Sequence, residues 1–254
     1  MRACALIPAF DAARTVGEVV RAVAAIWPEL SAVWVVDDGS SDGTAEIARK
    51  AGARVLVHPQ NRGKGAALRT GMQAARQEGF EVCVTLDADG QHPASEALLL
   101  LTHEPDPQAL VLGIRDLRSA GAPRPNQISN GISNFFLSVF VGMPLSDTQC
   151  GLRRYPLQAE LDQQARDDGY AFEAEIILRA VARGIRVAEL PISVLYPPEN
   201  ERVTHFDSVR DPARIISRVL KTLALTRIPG APGLLRAVSA ISGKPSNPRD
   251  FFRV

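Results

Sequence analysis

The sequence predicts an α/β fold, a three-layer sandwich with helices on both faces of a mostly parallel central sheet. Two observations predict it. The first 90 residues alternate short apolar runs with helically periodic segments, a β-α-β-α-β-α-β cycle. Three of the four loops that follow the apolar runs are charged or glycine-rich, as expected where strand ends in such sheets meet ligands.

The elements follow in order. ACALI (3–7) reads as the first strand. Val16, Val19, Val20, Val23 and Ile26 then recur at helical spacing, with Thr15 and Glu18 as a capping box at the helix start. AVWVV (32–36) is a second strand, followed by a helix through Ala45, Ile47 and Ala48 that Gly52 stops. RVLV (54–57) is a third strand, before a helix from Gly65 to Arg76 that ends near Gly79, and VCVTL (82–86) is a fourth. The regular cycle then fades. A helix from Ser95 to Thr102, a strand at ALVLG (109–113) and a Pro-interrupted loop from Ser119 to Pro125 come next. The remainder reads as an uncharged helical stretch at Ser133–Val141, a loop SDTQCGLRRY (146–155), a helix Phe172–Arg183 ended by Gly184, and a strand RVAELPISVLY (186–196). Beyond Pro197 a polar loop, a helix near Ala213–Thr226 and a Gly/Pro-broken end are expected. The domain reading is a catalytic domain over 1–226 and a C-terminal tail over 227–254.

Composition narrows the function classes. The chain has 254 residues with 29 Lys plus Arg against 28 Asp plus Glu, a net charge of +1, which disfavours a dedicated nucleic-acid binder. Cys4, Cys83 and Cys150 are odd in number and widely spaced, which points to buried thiols in a reducing compartment and not to a disulfide framework. The apolar window from Ile128 to Leu145 contains Ser, Asn, Gly and Pro and is too short to be predicted to span a bilayer.

The loops suggest the chemistry. Asp87 and Asp89 leave the fourth strand with one residue between them, so in an extended segment both carboxylates aim the same way. Side by side they repel, and a divalent cation relieves that. Hard oxygen donors favour Mg²⁺ or Mn²⁺ over Zn²⁺, with Gln91 and His92 next in line to extend the ligand set. Asp37 and Asp38 at the end of the second strand offer acceptors for a base or a ribose, and Asp42 reads as a cap. In NRGKG, Arg62 and Lys64 stand among glycines at a helix start, a setting for an anion, although the P-loop signature is absent.

Six ordered strings, IPAFDAARTV, VVDDGSSDGT, NRGKGAAL, TLDADGQHP, SDTQCGLRRY and GYAFEAEIILRA, resemble family 2 glycosyltransferases of GT-A fold, in the dolichyl or polyprenyl phosphate sugar synthase branch, over residues 3–200. The resemblance implies a nucleotide-diphosphate-sugar donor, an inverting single displacement and a bound metal. It implies nucleotide contacts at Pro8, Ala9 and Asp11, where the family usually carries Asn and Glu in place of Asp11 and the alanines after it. It implies a base contact at Asp38 beside Asp37, a D-x-D motif at Asp87, Ala88 and Asp89, and a third metal ligand at Gln91. Arg115 resembles a basic residue near the phosphates, and Arg124 with Ser129 the branch's acceptor-phosphate pair. Asp147 falls where such enzymes place an acidic residue near the acceptor; it serves as a base for a hydroxyl acceptor and as an orienting group for a phosphate. Tyr170, Phe172, Glu173 and Glu175 echo the family's Y-x-F-E-x-E helix, with Phe172 in the core and Glu173 facing the acceptor. Within 199–215, His205 resembles the histidine of the family's S-H-F loop, and Arg202 and Arg210 are candidates to meet phosphate; His58 and His103 read as background.

The expected partners are a nucleotide-diphosphate sugar of the GDP-mannose or UDP-glucose type and a lipid phosphate or glycan acceptor, with catalytic roles at Asp89, Asp147 and Arg115. A cytoplasmic protein at the membrane face is the expected setting, through the Phe135, Phe136, Val139, Phe140 and Met143 stretch or the basic-apolar tail. Two alternatives stay open: transfer to a soluble hydroxyl with Asp147 as base, and a non-catalytic nucleotide-sugar-binding protein.

Overall fold

A computed structural model describes residues 1–29, 32–158, 161 and 164–196. The strands are β1 (Ala3–Ala9), β2 (Val33–Asp37), β3 (Arg54–Val57), β4 (Val82–Thr85), β5 (Leu110–Arg115), β6 (Arg153–Pro156) and β7 (Val187–Ile192). The helices are α1 (Val16–Ala24), α2 (Thr44–Lys50), α3 (Lys64–Gln77), α4 (Ala94–His103), α5 (Arg124–Val141) and α6 (Ala171–Ala182). One seven-stranded sheet runs in the order β3-β2-β1-β4-β6-β5-β7. Every neighbouring pair is parallel except the two that β6 makes with β4 and β5.

Burial follows from the sequence pattern. β1, β2 and β4 are apolar almost throughout because both sheet faces are covered. β3 lies at an edge and is correspondingly more exposed. β7 forms the other edge and tolerates Pro191 there. α1 packs against α2 and α4, while α6 packs against α3 and α5, giving helical layers around a core that runs from Cys4 and Ile7 through Trp34 and Leu86 to Phe172 and Ile177. Cys4, Cys83 and Cys150 are all buried free thiols.

The structure differs from the sequence reading at three described places. Thr15 makes no capping hydrogen bond to α1; its hydroxyl donates 2.6 Å across to the Ala88 carbonyl, because a tertiary partner outcompetes the local one. The end of SDTQCGLRRY is not a loop but strand β6, central and antiparallel. Its two arginines hide the strand pattern, and they are buried because backbone carbonyls satisfy them: Arg153 donates to Cys150 O, Thr148 O and Glu173 O at 2.7–2.9 Å, and Arg154 donates to Leu101 O, Glu104 O and Asp106 O. The uncharged helix begins at Arg124, well ahead of Ser133, since Pro125 sits in its first turn, where a missing N–H costs nothing. The expected helix at 213–226, the boundary at 226 and the tail lie outside the described residues. Among the described residues, no helix is long and apolar enough to cross a membrane.

Candidate active site

β1 and β4 are neighbours, yet the chain leaves β1 toward β2 on one side and enters β4 from β3 at the far edge. That reversal opens a crevice at the carboxyl ends of the strands. The loops after β1, β2, β3 and β4 meet there. The 146–152 loop joins them because β6 runs antiparallel and starts at this edge.

The first two loops are stitched together. Asp11 sits at φ 44°, a left-handed conformation that Asp tolerates, and its N–H donates to Ser40 Oγ at 2.9 Å while Ser41 N–H donates back to Asp11 Oδ1 at 3.0 Å. Ala12 N–H and Ala13 N–H donate to Thr44 Oγ1 and Asp42 Oδ2 at 2.8 and 2.9 Å. Pro8 and Ala9 are buried at the end of β1. Asp37 accepts from Ser40 N–H at 3.1 Å and from the Ser40 hydroxyl.

Asp38 is 2% exposed and its carboxylate is fully engaged. It accepts from Arg62 N–H at 3.0 and 3.1 Å, from Gly63 N–H at 2.6 Å and from His58 Nδ1 at 2.6 Å. His58 Nε2 lies 2.9 Å from the Thr70 hydroxyl on α3, so with Nδ1 facing an acceptor-only carboxylate the imidazole serves as donor there and acceptor here. Asp38 therefore shapes the NRGKG loop from within, and two backbone N–H groups expected to face an anion are spent on it. Ala66 N–H is likewise taken by Asp168 O at 3.1 Å. Gly65 is required by this clamp, because a Cβ there would lie 2.6 Å from Asp167 O and from Phe172 Cβ.

What the loop presents to the crevice is the Lys64 ammonium. Its Nζ stands 2.7 Å from Asp87 Oδ1 and 3.3 Å from Glu173 Oε2, with the Tyr170 ring centroid at 5.7 Å. Burial works to lower the Lys64 pKa, and Asp87 followed by Glu173 overrides it and holds the value above that of an ordinary lysine. Burial works to raise Asp87, and Lys64 holds it below the usual range.

Asp89 has no salt bridge among the described residues. Burial, then the Asp87 charge, pushes its pKa up to about 6, although Gln91 N–H donates to Oδ1 at 2.9 Å. Ala88 lies buried between the two carboxylates. Two mutually repelling hard oxygen donors, only one of them matched by a lysine, fit a divalent cation such as Mg²⁺ or Mn²⁺. No three His, Cys, Asp or Glu side chains converge among the described residues, and Gln91, the third ligand that the resemblance implies, is tied to Asp89 by its backbone N–H. His92 is buried, burial lowers its pKa to about 4, and its Nδ1 has no partner among the described residues.

Arg115 ends β5 and pairs with Asp147, which has no exposed surface: Nε to Oδ2 is 2.7 Å, Nη2 to Oδ1 3.1 Å, and the Arg115 backbone N–H adds a third bond at 3.2 Å. Burial works to raise the Asp147 pKa, but Arg115 keeps it below the ordinary value. Gly151 makes room for the Asp87 carboxylate, since a Cβ there would collide with it.

Arg124 and Ser129 are not brought together. Arg124 is exposed at the start of α5, whereas Ser129 is buried against Gln149, whose Nε2 donates 3.1 Å to Ser129 Oγ. Five residues along a helix turn two side chains well away from one face. Glu173 is buried, with Oε1 lacking a hydrogen-bond partner among the described residues. Arg202 and His205 lie outside the described residues. Sequence reasoning missed Tyr196, which follows β7: Leu195 N–H donates 2.8 Å to Gln91 O, and Arg115, Asp147, Cys150 and Asp89 all act on the Tyr196 phenol, whose pKa burial raises. It missed Arg153 as well. Neither has a local signature, because both act through tertiary contacts.

A switch-point crevice lined by a D-x-D pair, a lysine and an arginine-carboxylate couple defines a GT-A-type nucleotide-diphosphate-sugar transferase fold. The solved glucosyl-3-phosphoglycerate synthase from Mycobacterium tuberculosis, in complex with Mn²⁺, UDP and phosphoglyceric acid, shares that fold at a TM-score of 0.66 and 19% identity, over 87% of this chain and 77% of that one. The glycosyl transferase family 2 model matches residues 4–157, and the chain belongs to that family. It is a glycosyltransferase. It is 30% identical over 210 residues to glycosyltransferase AglJ of Haloferax volcanii, covering 82% of this chain and 67% of that protein. It is 28% identical over 204 residues to polyprenol monophosphomannose synthase of Mycolicibacterium smegmatis, covering 76% and 77%.

Proposed function

We propose that this glycosyltransferase moves a hexose, with inversion, from a nucleotide-diphosphate sugar of the GDP-mannose or UDP-glucose type to a polyprenyl or dolichyl phosphate. The observation that carries the reading is the state of Asp147. A hydroxyl acceptor needs a base, and Asp147 is sealed from solvent with both carboxylate oxygens bound to Arg115 and its pKa lowered. A phosphate acceptor brings its own anionic oxygen and needs none. The relative named polyprenol monophosphomannose synthase supports the same choice of acceptor.

In this reading the loops after β1 and β2, with Pro8, Ala9, Asp11 and Asp37, frame the nucleotide, and Asp38 acts through the loop it organises. Asp87, Asp89 and the Gln91 amide hold Mg²⁺ or Mn²⁺, which when bound neutralises charge building on the departing diphosphate. Lys64 adds a second positive charge to that diphosphate. Arg115, oriented by Asp147, keeps Nη1 outside their mutual pair and directs it toward acceptor phosphate. An acceptor oxygen forms the new bond to the anomeric carbon as the bond to the nucleoside diphosphate breaks, and no proton transfer is needed. Ile128, Ile132 and Phe135 line an outward apolar face of α5 at 59%, 38% and 38% exposure, which supports contact with the cytoplasmic face of a membrane, where a lipid phosphate resides.

The test supplies labelled UDP- and GDP-sugars with polyprenyl phosphate, the matching free polyprenol, or a soluble glycan. Label is expected in the organic phase only with the phosphate. Transfer to the free alcohol or to the glycan would overturn the reading and restore a hydroxyl acceptor.

A further inference from the structure

Lys64 is shared by two carboxylates that belong to different parts of the fold, Asp87 after β4 and Glu173 on α6. The two ties are unequal. Asp87 holds the ammonium at 2.7 Å, while Glu173 stands 3.3 Å away with its other oxygen, Oε1, buried and unpartnered among the described residues. Glu173 thus has acceptor capacity in reserve, and a lysine that leaves Asp87 keeps an anionic partner. A lysine ammonium is a compact charge on a flexible four-carbon stem, so this exchange needs no backbone motion.

We infer that Lys64 is a built-in counter-cation that competes with the divalent metal for Asp87, and that an arriving diphosphate draws it off, so that tight metal binding waits for the nucleotide. The inference rests on the donor site proposed above and adds the order in which that site fills. In the arrangement described, Asp87 Oδ1 is already matched by a positive charge, and a metal approaching alone must displace it. Asp89 is then the one carboxylate of the pair without a matched cation among the described residues, and a single carboxylate is a weak site for a divalent ion. A diphosphate entering beside α3 offers Lys64 a stronger anionic partner, frees Asp87 and supplies further oxygen donors to the metal. Glu173 keeps the buried ammonium compensated during the exchange.

The experiment measures Mn²⁺ binding to the EDTA-stripped full chain without nucleotide, by the paramagnetic resonance signal of free Mn²⁺, and repeats it with UDP or GDP. Lys64→Met is expected to bind Mn²⁺ alone about tenfold tighter than wild type. Lys64→Arg keeps the competing charge and should stay near wild type. Glu173→Gln should bind more weakly than wild type, because the ammonium loses the second carboxylate that would hold it when it leaves Asp87. Arg62→Met removes the same charge from the same loop without an ion pair to Asp87, and should change binding by less than about twofold. Equal Mn²⁺ affinity in wild type and Lys64→Met, or equal tightening in Lys64→Arg or Arg62→Met, would overturn the inference while a normal metal-nucleotide complex leaves the donor site standing. Failure of wild type to bind Mn²⁺ with either nucleotide would overturn both.

Discussion

Arg115 and Asp147 form a two-pronged ion pair, Nε to Oδ2 at 2.7 Å and Nη2 to Oδ1 at 3.1 Å, with the carboxylate wholly buried. The pair ties the end of β5 to the loop that leads into β6, so the two residues act as one structural unit at the crevice.

That unit predicts an asymmetry. Arg115→Met leaves a buried carboxylate without its cation and should cost about 3–5 kcal/mol in urea denaturation at pH 7. Asp147→Asn keeps the shape and an amide oxygen for the arginine to donate to, and the Arg115 side chain keeps 13% of its surface in solvent against none for the carboxylate, so it should cost less. The folded-state pKa of Asp147 is lowered, hence its contribution is present above the unfolded carboxyl value near ~4 and is lost as pH falls through the lower folded value. The stability gap between wild type and Asp147→Asn should therefore be constant from neutral pH down to about 5 and close below about 4. A gap that closes near neutrality would contradict the pairing.

Asp89 predicts the opposite sign. Its folded pKa of about 6 exceeds the unfolded value, so its favourable contribution to the metal-free fold is fully present below about 4 and is lost as pH rises through 6. At pH 7 the ionised group is a strain on the EDTA-treated protein. Asp89→Asn should raise the melting temperature of the EDTA-treated protein at pH 7, on the order of 1–3 kcal/mol of stability, and should abolish metal-dependent nucleotide binding by calorimetry. A variant that melts lower at pH 7 would contradict this account.

The order of strands and helices through β4 was legible because each apolar run and its loop repeat on a short period. The D-x-D pair was legible for a related reason: two carboxylates at a strand end announce themselves locally. Strand β6 was not, since Arg153 and Arg154 look like surface residues until the carbonyls that bury them are brought in from α4, α6 and the 148–150 turn. His58 read as background, yet it sits between Asp38 and Thr70 and braces the loop that carries Lys64. Asp38 was legible as an important carboxylate and not as an internal brace, because the donors that occupy it come from a loop more than twenty residues away.

Gly151 is placed by a contact that no sequence pattern reveals. A Cβ there would press on the Asp87 carboxylate, and the backbone cannot retreat because Thr85 Oγ1 holds the Gly151 carbonyl at 2.7 Å. Gly151→Ala should therefore push the Asp87 carboxylate out of its present position and weaken metal-nucleotide binding by at least about tenfold, with a stability loss of about 1–3 kcal/mol. Calorimetric titration with Mn²⁺ and UDP or GDP, beside a thermal melt, checks it. Unchanged nucleotide binding in the alanine variant would mean that Asp87 does not need its present position.

In the proposed function, lipid contact falls to the outer face of α5 and is separable from sugar-donor chemistry. Ile128, Ile132 and Phe135 are spaced i, i+4 and i+7, so they lie on one side of the helix, whereas Ser129 and Ser133 turn inward toward Gln149 and Thr148. Replacing the three apolar residues together with Ser, Asn or Gln removes about 1 kcal/mol of interfacial burial each, enough to weaken partition into vesicles by roughly a hundredfold. The inward face is untouched, so nucleotide binding should be retained. Transfer to a short, water-soluble prenyl phosphate should also persist, while transfer to a long-chain polyprenyl phosphate in vesicles falls. Sedimentation with anionic vesicles and the two transfer assays read these separately. Equal loss with both acceptors would show that the stripe supports the fold of the site, and undiminished vesicle binding would place the membrane contact elsewhere on the chain.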